Sequence, residues 1–316
     1  MNPLKTIIKY FLIILFAISV SATNGLSPST GNPDQDIPLD GRGGGIIAYS
    51  ITSSADGNQI FIIDADGSGQ RQIGSVAGRA CGPDWSANGS QIAFYNHFND
   101  ETWSVFTMNA DGGNVKQITS MQNVWDGVPR WSPDGASIVF GRTNPKNNFK
   151  SEIWIVNADG TNPRRIGAVT GNGPYWSKDG KRILYFSSKG RGTEIHEMRA
   201  DGTATKQLTN LGAEIYWPKY SPDDSKIAFE SNKDGDLEIY VMNADGSKIT
   251  QLTFNEAEDG APEWSPDGQR IVFVSQRDGH YELYVMNADG SAQTRLTATS
   301  VHAIQPDWKP SQCVNY

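Results

Sequence analysis

The chain has 316 residues, of which 33 are Gly, 16 Pro and 9 Trp, and 20% carry a charge. That composition favours many short strands and tight turns over long amphipathic helices, and the length admits one large all-β domain. A formal charge of −8 argues against nucleic acid as a partner.

Residues 1–22 open with Lys5 and Lys9, continue through an apolar run from Tyr10 to Val20, and close on the small residues Ser21 and Ala22. This is the pattern of a secretory signal peptide. The apolar run is about half the ~20 residues that span a bilayer, so cleavage without stable membrane insertion is expected. Neither cysteine lies beside the leader, which excludes a lipid anchor there. In an exported chain Cys81 and Cys313 form a candidate disulfide. Residues 23–45 are rich in Gly, Pro and polar side chains and read as a flexible linker.

From Ile46 the chain repeats about every 45 residues. One marker is Pro-x-(Trp/Tyr), at Pro83–Trp85, Pro129–Trp131, Pro174–Trp176, Pro218–Tyr220, Pro262–Trp264 and Pro306–Trp308. A second is an apolar run such as Ile92–Tyr95 or Ile271–Val274. A third is a strand ending in a turn, as in Ile239–Gly246, followed by a short segment such as Gln251-Leu252-Thr253. Ser132-Pro133-Asp134-Gly135 supplies a fixed φ, a side-chain acceptor and a glycine where a tight turn needs them. Each unit is therefore four strands, the size of one propeller blade, and the Trp of Pro-x-Trp is expected to pack between blades.

Trp-Ser-Pro-Asp-Gly, then Ile-Ala-Phe, then Glu-Ile-Tyr-Val-Met-Asn-Ala-Asp-Gly and Leu-Thr, resembles the repeat of the TolB-like, WD40-like β-propellers. The resemblance runs from Ile46 to Trp308 and implies an all-β, six-bladed propeller of four-stranded antiparallel blades over residues 46–310, followed by a tail at 311–316. The first unit begins at its second strand and the last Pro-x-Trp strand has nothing after it, so the C-terminal strand is expected to complete the N-terminal blade. TolB itself carries an α/β domain ahead of its propeller, so the resemblance here covers the propeller.

In such a propeller the loops entering each first strand share a face with those between the second and third strands, and ligands are expected at that mouth. The entering loops carry Arg79, Trp125, Asp126, Glu214, Tyr216, Glu256, Glu258, Asp259 and His302; His97, Asn147, Phe149, Arg191, Arg277 and His280 lie on other loops. Of these, Arg79, Trp125, Asp126, Glu214, Tyr216, Asp259 and His302 are the candidate binding residues, with the rings as apolar platforms and the carboxylates as acceptors. The residues between Pro and Trp run Asp307, Asp84, Arg130, Tyr175, Lys219 and Glu263 around the blades, so a ring of ion pairs is expected, Asp84 with Arg130 and Lys219 with Glu263.

His97, His280 and His302 share the mouth but are spread over different units, and neither a metal nor another cofactor is expected. Asp64-Ala65-Asp66-Gly67 lacks the later Glu of a calcium loop and repeats as an ordinary turn. No nucleophile elbow, phosphate loop or dinucleotide fingerprint is present. The expected function is a non-enzymatic, periplasmic or secreted binding scaffold for a protein or peptide. The alternative is a polysaccharide lyase or glycosidase using Asp126 and Glu214 or a histidine-bound metal.

Overall fold

The computed structural model describes residues 45–52, 57–99, 102–190 and 192–311. The leader, nearly all of the linker, Arg191 and Cys313 lie outside those residues. The described residues form strands and turns with no helix, so none is long and apolar enough to cross a membrane.

The strands come in chain order as antiparallel ladders. β1 (Ile46–Ile51), β2 (Gln59–Asp64) and β3 (Arg71–Gln72) make the first. β4 (Arg79–Trp85), β5 (Gln91–Asn99), β6 (Thr102–Asn109) and β7 (Lys116–Gln117) make the second. β8 (Trp125–Trp131), β9 (Ser137–Asn144), β10 (Lys150–Asn157) and β11 (Arg164–Arg165) make the third. A single parallel bridge from Trp103 to Trp125 merges the second and third into one eight-stranded sheet. β12 (Asn172–Trp176), β13 (Arg182–Lys189), β14 (Gly192–Arg199) and β15 (Lys206–Gln207) follow. Next come β16 (Ile215–Tyr220), β17 (Lys226–Ser231), β18 (Glu238–Asn243) and β19 (Thr250–Gln251). The last consecutive sheet holds β20 (Asp259–Trp264), β21 (Arg270–Ser275), β22 (Glu282–Asn287) and β23 (Thr294–Arg295). Finally β24 (Ala303–Trp308) returns to β1, with Trp308 opposite Ile47 and Asp307 opposite Ala48.

The turns follow from their sequences. Ser132 Oγ bonds Asp134 Oδ1 at 2.6 Å and accepts from Ser137 N at 2.9 Å, while Gly135 takes φ +69°. Where the repeat lacks this glycine, Asp224 adopts φ +57° instead, a region that Asp tolerates better than most residues. Its carboxylate then accepts from Lys178 N at 3.0 Å and Arg182 Nη2 at 3.2 Å, tying two units together.

The core lies between sheets. Trp85, Trp131, Trp176, Tyr220, Trp264 and Trp308 are all buried, as expected for the Pro-x-Trp strands. Ala48, Ile60 and Ile62 of the first ladder pack with Trp85, Ile92 and Phe106 of the second. Ile47, Tyr49 and Ile63 pack on the other side with Val272, Leu283 and Trp308. Burial of each such side chain contributes roughly 1.5–3 kcal/mol, so neither face of a sheet is stable without its neighbour.

Cys81 is wholly buried in β4 and accepts from Asn58 Nδ2 at 2.9 Å. Burial pushes its thiol up to about 11.

Candidate functional site

The innermost strands β4, β8, β12, β16, β20 and β24 each contain a bulge at the residue before Pro-x-Trp. That residue has a left-handed backbone in every case: Gly82 at φ +58°, Val128 at +53°, Gly173 at +60°, Trp217 at +53°, Ala261 at +48° and Gln305 at +54°. At Gly82 a Cβ would stand 2.7 Å from the Tyr95 ring, so only glycine fits. The four non-glycine residues hold a conformation that costs about 1–3 kcal/mol each, strain of the kind that clusters at ligand sites.

Past the bulge, the residue between Pro and Trp turns to the centre. Arg130 Nη1 lies 2.9 Å from Asp84 Oδ1 and 3.5 Å from Asp307 Oδ1. Lys219 Nζ bonds Glu263 Oε2, whose other oxygen accepts from Tyr175 Oη at 3.1 Å. The Tyr175 ring sits under both cations, with Lys219 Nζ 4.7 Å and the Arg130 guanidinium 5.7 Å from its centroid. Asp84 and Asp307 also accept the backbone N–H groups of Trp131 and Trp85, at 2.6 and 2.7 Å, so these bonds fasten β4 to β8 and β24 to β4. Both expected pairs form, and the six groups become one buried network. Three carboxyl groups face two cations there. Burial, reinforced by its acidic neighbours, holds the Asp307 carboxyl well above the usual range, while burial and the Arg130 charge lower Lys219.

Two cavities open beside this network. The larger, about 430 Å³, is lined by rings, by Val128 and by neutral polar side chains including Asn147 and Asn172. Its rings form two groups. Tyr95, Trp103 and Trp125 stack at centroid distances of 5.6 and 4.9 Å, with Phe149 5.5 Å beyond Trp125. Phe186 meets Tyr216 and Trp217 edge-on at 5.1 and 5.8 Å. The smaller cavity, about 90 Å³, is lined by Glu230, Glu258, Asp259, Tyr281, His302 and Gln305 among others, and shares Trp217 with the larger.

Of the residues singled out in the sequence, Trp125 and Tyr216 line the larger cavity and Asp259 and His302 the smaller. Asp126 is wholly buried, and Arg142 clamps both its oxygens at 2.6 and 2.7 Å. Asp259 is equally buried, with Oδ2 held by Arg277 and Asn255 at 2.8 and 2.7 Å. Glu214 is half-buried beside Asn232, and Arg79 is half-buried opposite His97 in the β4–β5 ladder; neither lines either of these two cavities. The rings of His280 and His302 are 6.2 Å apart, but His280 Nε2 is engaged by Glu282 and Thr299, and His302 Nδ1 accepts from Tyr281 N. His97 packs at a tilt against Trp103 instead, with ring centroids 5.1 Å apart. Among the described residues no three His, Cys, Asp or Glu side chains stand as a metal site.

Sequence reasoning passed over Trp217, Val128, Gln305, Phe186 and Glu230. A signal for three of them was present: each directly precedes a Pro-x-(Trp/Tyr) marker, the bulge position.

Glu230 is 3% exposed, and its Oε2 accepts from Ala261 N at 2.7 Å. Burial, opposed by that bond and reinforced by Glu258, pushes its carboxyl up to about 8. The folded chain therefore keeps a proton that the unfolded chain releases near its ordinary value, and stability falls as pH rises from about 4.5 to about 8. Glu230→Gln keeps the acceptor for Ala261 and removes the titration. It is expected to stabilise the chain by about 2–4 kcal/mol at pH 8 and by much less at pH 5, read by urea denaturation at both. Equal effects at the two values would refute this assignment.

The family described as the TolB beta propeller domain matches residues 45–219 and 203–313. The Tol-Pal system protein TolB of Anaeromyxobacter dehalogenans is 32% identical over 110 residues, which cover 34% of this chain and 24% of that protein. The match thus spans about a quarter of the curated relative's length. TolB from Acinetobacter baumannii superposes with a TM-score of 0.75 at 22% identity, over 84% of this chain and 67% of that one. An oligogalacturonate lyase in complex with manganese superposes with a TM-score of 0.50 at 16% identity, over 68% and 64% of the two chains. At such identities these structural likenesses concern the fold alone.

Proposed function

The chain belongs to the TolB β-propeller domain family, and from that premise we propose that it is an exported, non-enzymatic binding module whose mouth takes a protein or peptide partner in the cell envelope or outside the cell. The observation that carries the reading is the pair of adjoining cavities, walled by rings and by strained bulge residues of a rigid scaffold. Export is supported by the leader pattern of residues 1–22, and a protein partner by relatives named as components of a Tol-Pal system. The scaffold itself is read as six blades closed into a ring by β24, a reading that the β1–β24 ladder and the packing of the first ladder on both flanks support. Asp126, which a glycosidase version of this site would need, has both oxygens bound to Arg142.

The test is in-cell photo-crosslinking in the source organism from a benzophenone side chain placed at Asn147, an exposed residue of the larger cavity's wall. A discrete protein adduct, lost when Trp217→Ala is added, is the expected result. Labelling no protein, together with turnover of a polysaccharide by the purified chain, would overturn the reading.

A further inference from the structure

The two cavities are contiguous but chemically opposite. The larger has predominantly apolar walls, and among the described residues Lys150 is its one charged lining residue. Trp103 and Tyr216 are 2% and 5% exposed, so the rings form a slot with depth rather than a flat platform for a sugar. Among the described residues the smaller cavity has three carboxyl groups in its walls and no Lys or Arg. Arg277 neutralises Asp259 but is not part of that lining, which leaves Glu258 and the buried Glu230, whose carboxyl holds its proton near neutral pH, as the remaining acids. Tyr281 Oη donates to Glu258 Oε2 and fixes it. His302 adds no opposing charge, because burial and the neighbouring His280 hold it below its ordinary value.

Resting on the binding-module reading, the geometry points to a two-part site for an extended basic peptide: an aromatic or branched aliphatic side chain fills the larger cavity, and a Lys or Arg one or two positions away enters the smaller. A volume of about 430 Å³ holds any single apolar side chain, whereas about 90 Å³ suits the head of an ammonium or guanidinium group. Trp217, on both walls, and Tyr281 present rings to that cation, Glu258 supplies its countercharge, and Glu230, which holds its proton in the free chain, gives it up as the cation enters. Lys150 disfavours the reverse orientation. In an extended segment alternate side chains lie roughly 6–7 Å apart on one side, a spacing suited to two slots divided by one indole.

The experiment uses the full chain as bait for a random dodecapeptide phage library, followed by fluorescence anisotropy with the synthetic consensus peptide. Enriched peptides are expected to place an apolar residue within two positions of Lys or Arg. Replacing that basic residue by norleucine should weaken binding to the parent at least tenfold, but less than twofold for the Glu230→Gln, Glu258→Gln double variant. Enrichment of acidic or purely apolar peptides, equal affinity of the norleucine peptide, or no enrichment would each overturn the two-part site. In the first two cases peptide binding itself stands; in the third, crosslinking from Asn147 decides the broader reading independently.

Discussion

A chain ending before Pro306 is expected to lose cooperative folding altogether. The cut removes Trp308, which lies opposite Ile47 in the β1–β24 ladder and packs with Ile47, Tyr49 and Val272. It also removes Asp307, whose Oδ2 accepts from Trp85 N, and the pairing of Lys309 N with Ile46 O at 2.7 Å. Truncating a single buried Trp to Ala costs about 3–5 kcal/mol, and here the second half of an inner strand, its part of the backbone ladder and one member of the central network go together. The sum matches or exceeds the ~5–15 kcal/mol by which domains are stable. Circular dichroism during heating and limited proteolysis should show an unfolded or protease-labile chain at 25 °C. A truncated chain melting within a few degrees of the parent would refute closure by β24.

Arg130→Met is expected to cost about 3–5 kcal/mol, because it leaves Asp84 and Asp307 buried without the guanidinium between them. Met keeps most of the side-chain length, so the loss reports charge rather than a cavity. Two signatures separate this from simple misfit. Asp307→Asn in the same background should recover part of the loss in a double-mutant cycle. The defect should also shrink as pH falls, because the bared carboxyl groups then take up protons within the folded state; burial and acidic neighbours already favour the protonated form of Asp307. Urea denaturation of the four proteins at pH 5 and pH 7.5 measures both. A cost below about 1 kcal/mol, or one independent of pH, would mean that the network does not fasten the inner strands.

The central network was legible in the sequence because its six members occupy the same place in six repeats. Similar local geometry at the bulge turns each of them the same way, so the six side chains meet. The mouth was less legible. Trp125 and Tyr216 line the larger cavity and His302 the smaller, but Asp126 and Asp259, which resemble free acceptors in a loop, are neutralised by Arg142 from the neighbouring strand and by Arg277 from the turn after β21. Those arginines stand 16 and 18 residues further along the chain, and nothing local marks them as partners.

The sequence by itself determined the four-stranded repeat, its turns, the buried Trp of each inner strand and the identity of the groups at the centre. These depend on alternation along a strand and on the dihedral preferences of Pro, Asp and Gly, which act over a few residues. Only the tertiary structure decided that the residue before each proline flips into the left-handed region, and that Trp217 thereby divides an apolar cavity from an acidic one. That outcome is set by how far each inner strand must bend to meet its neighbours from other repeats, a constraint that exists only once the sheets have packed.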